Sequence, residues 1–236
     1  FGSGDPFAVM ARPYMIISLV VFIMALVFIK TPLPVISNQV TTTGQQAQKG
    51  SYRDLPKHHL LVFAVVAQFF YVAAQTGIGS FFINYVIEVQ PNVSHLEASR
   101  LLALGGMGLF MVGRMFGSYI MRAIPPKKLL SICAGVCVLL MIVVMLGLGV
   151  VSVVCLFCSY LFMSIMFPTI FALGISDMGD NRERASSILV MCVVGGALVP
   201  MFMGFIAYFS SMTVAFVVPL ICFIVIWLFG LSKVKN

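Results

Sequence analysis

Acidic residues are scarce in this 236-residue chain, and none lies near the middle of any of its apolar runs. The seven are Asp5, Asp54, Glu88, Glu97, Asp177, Asp180 and Glu183, all in connections or at the ends of runs. Only 9% of the residues are charged while 61% are hydrophobic, too little polarity to wet the surface of a soluble domain. Lipid is therefore the expected solvent. Intramembrane proteolysis or acyl transfer would need a mid-membrane Asp pair, a Ser/His pair or a metal cluster. Hydroxyls such as Ser164 and Ser187 have no base beside them, so an enzyme is not expected. Proton coupling needs a titratable group that can be buried within the membrane, normally a carboxylate. This chain supplies none.

Other shortages narrow the field further. The three histidines, His58, His59 and His95, stand at the ends of runs, where headgroup-level placement explains them. Cys133 and Cys137 are four apart and Cys155 and Cys158 three apart, but all lie in apolar surroundings without His or acidic neighbours. They read as small packing residues, so neither a metal site nor a cofactor is expected. No segment of about ten residues alternates strictly between apolar and polar, which argues against a transmembrane β-barrel. The run at 213–231 has no Lys for a Schiff base, which disfavours a retinal protein. No basic stripe of the kind nucleic acid requires is present, so nucleic acid is not an expected partner.

What the chain has in abundance is apolar length. Seven stretches can cover about 30 Å of hydrocarbon at 1.5 Å per residue: Pro13–Pro32, His58–Ile87, His95–Ala123, Lys128–Gly147, Val150–Ile175, Ala185–Phe209 and Thr213–Leu231. The expected fold is an all-α polytopic bundle of seven transmembrane helices. Lys30, Lys49, Arg53, Lys57, Arg122, Lys127, Lys128, Arg182, Arg184, Lys233 and Lys235 fall on one side, Arg12 and Arg100 on the other. The positive-inside rule then places the N-terminus outside and the C-terminus in the cytoplasm. The net charge of +7 follows from this bias and favours anionic headgroups of the bilayer.

One connection differs from the rest. Residues 33–57 form a polar stretch of about 25 residues, longer than a tight helix hairpin needs. The expected organisation is a single transmembrane helix over 1–32, a cytoplasmic linker over 33–57 and a six-helix bundle over 58–236. Such a layout suggests the seam between two halves of a larger carrier with one half mostly absent. The first residue, Phe1, suggests a cropped or processed chain.

Polar side chains inside hydrocarbon are functional suspects, and the second segment concentrates them. At about 100° per residue, Gln68, Tyr71 and Gln75 share one face and Thr76, Ser80 and Asn84 another close by. Gly77 and Gly79 lie between, where a helix can bend or be approached closely. Uncharged amides and hydroxyls suit a neutral polyhydroxylated ligand, since an amide both donates and accepts. Bonding to neighbouring helices is the alternative use of the same groups.

Three runs carry a resemblance. Phe69-Phe70-Tyr71-Val72-Ala73-Ala74-Gln75-Thr76 looks like the seventh helix of the fucose–galactose–glucose proton symporters within the major facilitator superfamily. Met163-Ser164-Ile165-Met166-Phe167-Pro168-Thr169-Ile170-Phe171-Ala172-Leu173-Gly174-Ile175 resembles that family's tenth helix. Ser186-Ser187-Ile188-Leu189-Val190-Met191, with Gly195-Gly196-Ala197 and Met203-Gly204-Phe205, is similar to the eleventh. The resemblance aligns the chain with helices six to twelve of a twelve-helix carrier. It implies the C-terminal part of a sugar transporter of the bacterial inner membrane, proton-coupled by alternating access when complete. The coupling carboxylates of the family belong to the N-terminal half, so a missing half or a partner chain is implied, with a monosaccharide and a proton as the ligands. Met166, Phe167 and Thr169, beside Pro168, become pocket candidates by position. Fucose-type members carry a Trp in the seventh helix after the Gln-Thr, where this chain has Gly79, and Gln-Tyr before the tenth-helix Pro, where it has Met166-Phe167. Glucose or galactose is thereby as open as fucose.

Gly113-Arg114-Met115-Phe116-Gly117 is similar to the superfamily's glycine-arginine signature beside a short cytoplasmic loop. Gly113 and Gly117 would allow close helix contact while Arg114 seeks a carboxylate, with Asp177 nominated and Asp180 or Glu183 as substitutes. Such a pair would latch one conformation and break in the other. A seven-helix membrane receptor and an inactive half-carrier needing a partner are the alternative readings.

Overall fold

The computed structural model describes residues 6–31 and 58–232. The chain falls into two units, residues 1–48 and 49–236. The first carries helix α1, Pro6–Lys30, in which every large apolar side chain from Tyr14 to Ile29 is exposed. Helical structure is present from Pro6, upstream of the expected Pro13. The polar connection expected over 33–57 lies outside the described residues.

In the second unit, six helical spans are long and apolar enough to cross a membrane: His59–Val89, His95–Ile120, Pro126–Met145, Val150–Ile175, Arg182–Phe209 and Met212–Leu231. The described residues contain no β-strand. Two of the spans, α2 (His59–Val89) and α5 (Pro126–Met145), are continuous. The others are interrupted. The second span comprises α3 (His95–Arg100), a π-helical stretch Leu101–Gly106, and α4 (Met107–Ile120). The fourth is α6 (Val150–Met163) and α7 (Met166–Ile175), parted at residues 164–165. The fifth is α8 (Arg182–Met191), a 3₁₀ turn Cys192–Val194, and α9 (Gly195–Phe209). The sixth is α10 (Met212–Ala215) and α11 (Val217–Leu231).

Local chemistry sets the ends of these elements. Ser94 and Glu97 form a reciprocal capping box that starts α3. Gly147 and Gly149, at φ +61° and +63°, make the tight turn from α5 to α6. The carboxylate of Glu88, on the last turn of α2, accepts from the backbone N–H groups of Met212 and Thr213 at 2.9 and 3.1 Å and from the Thr213 hydroxyl at 2.9 Å.

Helix α2 is the spine of the bundle and packs against α7, α9 and α11, while α5 lies against α6 and α11, and α4 against α6. Tyr71, Ile78, Phe82 and Tyr85 of α2 are fully buried. The Tyr85 hydroxyl donates to the Val144 carbonyl at 2.7 Å. Because lipid is as apolar as the side chains, such bundles are held by close packing and interhelical hydrogen bonds rather than by exclusion of water. Small residues sit accordingly at the contacts: Gly113 against the Leu161 backbone, Gly117 against Ile165, and Gly195 against the Phe69 carbonyl.

Candidate functional site

The interruption between α6 and α7 comes from Pro168. In a regular helix the carbonyl of residue 164 accepts from the N–H of residue 168, and proline has none. The backbone ladder holds up to Ser164, whose N–H donates to Tyr160, and resumes where the Thr169 N–H donates to Ile165 at 3.3 Å. Between them, two carbonyls are taken by side chains of other helices. The Tyr71 hydroxyl of α2 donates to the Met163 carbonyl at 2.9 Å, and Nε of Arg114 on α4 donates to the Ser164 carbonyl at 3.3 Å. The Arg114 guanidinium also lies 4.9 Å from the centre of the Phe110 ring, a cation–π contact.

Several expected residues meet at this break. Phe167 is half-buried, with its ring edge-on to Tyr71 at 5.9 Å between centroids. Thr169 is buried, its hydroxyl donating to the Ile165 carbonyl at 2.6 Å and lying 3.5 Å from Sδ of Met121. Gly113 and Gly117 let α4 close onto Leu161, Ser164 and Ile165. Residues expected to bind a ligand and residues expected to form a latch thus surround one short stretch of backbone.

The remaining candidates are spread along α2. Gln68, one turn before Tyr71, is fully buried, and neither its amide nitrogen nor its amide oxygen has a protein partner. Gln75 is half-buried. Thr76 donates to the Val72 carbonyl at 2.8 Å and lies against Gly196 of α9. Ser80 and Asn84 are exposed. Asp177 is exposed as well, and no ion pair joins it to Arg114 in this conformation, where the Ser164 carbonyl is the acceptor instead.

Sequence reasoning missed three participants. Ser164 contributes a backbone acceptor, a role readable from Pro168 four residues later. Tyr160 carries a buried hydroxyl with no protein partner beside Gly79, and aromatic composition in an apolar run gave no sign of it. Glu88 passed as a residue at a run's end, though a carboxylate beside the start of another helix is a cap in waiting.

Comparisons with known proteins fit this architecture. The L-fucose-proton symporter of Escherichia coli K12 is 33% identical over 220 residues, covering 92% of this chain and 50% of that protein. A glucose/galactose transporter of Brucella abortus is 30% identical over 225 residues, 95% of this chain and 53% of the relative. The crystal structure of the E. coli fucose:proton symporter superposes with a TM-score of 0.82 at 31% identity, covering 99% of this chain and 60% of that one. The chain spans about half the length of the curated relatives it matches. A sequence model of the Major Facilitator Superfamily matches residues 12–193, and with the helical bundle already described this places the chain in that superfamily: it is a multi-pass membrane protein of the Major Facilitator Superfamily.

Proposed function

We propose that this chain is the C-terminal part of a sugar transporter of the glucose/galactose or fucose type, working by alternating access and coupled to protons when complete. The observation that carries the reading is likeness along nearly the whole chain to the fucose symporter structure, at a TM-score of 0.82. The uncharged polar face of α2 supports it, since Gln68, Tyr71, Gln75, Thr76, Ser80 and Asn84 offer amides and hydroxyls but no charge, as a neutral sugar requires. Phe167 and Thr169 complete the proposed sugar side. The hydroxyls of Tyr71, Thr76 and Thr169 already donate within the bundle, and each oxygen keeps acceptor capacity for a ligand.

The proposed organisation is a transmembrane helix over 1–32 as helix six of the carrier, a cytoplasmic linker over 33–57, and the six-helix bundle over 58–236. The N-terminus lies outside and the C-terminus in the cytoplasm, in accord with the distribution of Lys and Arg. Transport, not bond-making chemistry, is the work of this fold. Because the chain's own acids lie outside the apolar centres, proton coupling is assigned to a further half or partner chain. In a second conformation Gly113, Arg114 and Gly117 on α4 form the latch with Asp177.

The test is uptake into proteoliposomes by the longest product that the coding region yields, with labelled glucose, galactose and fucose, with and without a proton gradient. Gradient-dependent uptake of one of them by a longer product, and none by these 236 residues alone, is the expected result. Failure of the longer product on all three sugars overturns the reading.

A further inference from the structure

We infer that Arg114 is a positioning residue that replaces the backbone donor missing at Pro168. Pro168 leaves one carbonyl of the fourth span, that of Ser164, without its helical partner. A carbonyl unpaired in hydrocarbon is costly, because no water is there to take it. Ser164 is buried, and the donor that reaches its oxygen comes from another span, 50 residues earlier in the chain.

The reach depends on which atom donates. Nε stands at the base of the guanidinium, and it meets Ser164 only because α4 comes close. Gly113 supplies that closeness: a Cβ there would come within 2.5 Å of both the Leu161 carbonyl oxygen and the Ser164 hydroxyl oxygen. Gly117, one turn on, lies against Ile165 in the same way. The glycine-arginine-glycine spacing on α4 is therefore matched to the proline break on the facing span. The rest of the guanidinium lies over Phe110, an attractive place for a cation about six residues inside the end of its helix.

The break governs the residues beyond it. Phe167 and Thr169 flank Pro168, so the direction in which α7 leaves residues 164–165 sets where both side chains stand. Tyr71 fixes the Met163 carbonyl on one side and Arg114 the Ser164 carbonyl on the other. The role rests on neutral donor geometry as much as on charge. That separates it from a carboxylate latch, which needs the charge, and from a side chain merely reaching for headgroups, which needs no acceptor.

Substitutions at Arg114 in the full chain, monitored by thermal unfolding in detergent micelles, distinguish the three. Gln places an amide nitrogen at the same distance from the backbone as Nε of Arg, without the charge. Met has similar length and no donor. Arg114→Met is expected to lower the midpoint by about 5 °C, the scale of a lost charge-assisted bond in a chain of this size, and Arg114→Gln by less than half of that. Equal loss for Gln and Met, or no loss for Met, overturns the assignment. An independent arm uses Pro168→Ala, which restores the N–H to residue 168. In that background the Arg114→Met shift is expected to shrink below about 2 °C, whereas an undiminished shift overturns the inference. Neither arm reads uptake, so failure here and failure of the transport reading remain distinguishable.

Discussion

The hydroxyl of Tyr71 reaches from α2 to the carbonyl of Met163 at the end of α6, across 2.9 Å. Tyr71 is fully buried, so this bond is made where no water competes for either partner. Tyr71→Phe removes the donor, keeps the ring against Phe167 and strands the carbonyl. Loss of about 1–3 kcal/mol is expected, measured as a shift in the unfolding midpoint of the purified protein.

Gln68 predicts the opposite behaviour one turn away. Its amide is buried with neither atom paired to protein, so Gln68→Leu removes a desolvated polar group instead of a bond. Unfolding should occur at the same or a higher temperature. If the amide serves a sugar, the same variant in the complete transporter should lose uptake while folding normally. Unimpaired uptake would remove Gln68 from the proposed binding set.

Gly117 lies against Ile165 with no room for a methyl group. Gly117→Ala must push α4 away from the break or force Ile165 out of place. A cost of about 1–3 kcal/mol is expected. Ala at Gly108, where a Cβ meets nothing within 4 Å, is the control and should be neutral or slightly stabilising through helix propensity.

Glu88 ties the far end of α2 to the start of the last span through three hydrogen bonds. Glu88→Ala should loosen that junction by about 1–2 kcal/mol, the range for loss of a helix cap. Hydrogen exchange should rise at residues 211–216 and stay unchanged at the α6–α7 break. A rise spread evenly over the bundle would contradict a local clamp.

The spans themselves were legible because crossing hydrocarbon demands an apolar run of set length, and the runs starting at His58, His95 and Val150 match observed helices within a few residues. Their interruptions were not. Hydropathy does not register a change of hydrogen-bond period, so the π-helical stretch at Leu101–Gly106 passed as ordinary helix. A proline inside a run is a signal for a break, but Pro168 does not say which side chains would hold it. Tyr71 is expected among the ligand contacts and Arg114 in a carboxylate pair, and neither expectation specifies the backbone acceptors found here. Both donate to the backbone around one turn, a use that depends on helix neighbours rather than on position in the chain.

By itself the sequence determined that this protein lives in lipid, that it is helical, and that its spans carry amides and hydroxyls but no central carboxylate. Those properties come from composition and run length, which each segment possesses alone. Tertiary structure decided which polar groups are spent on the fold and which are left over. Tyr71 and Arg114 have acceptors only because α2 and α4 meet the α6–α7 break at one level, and Gln68 is left without one by its neighbours there. Hydrogen bonding between helices is a matter of register and distance, and those exist only once the bundle has assembled.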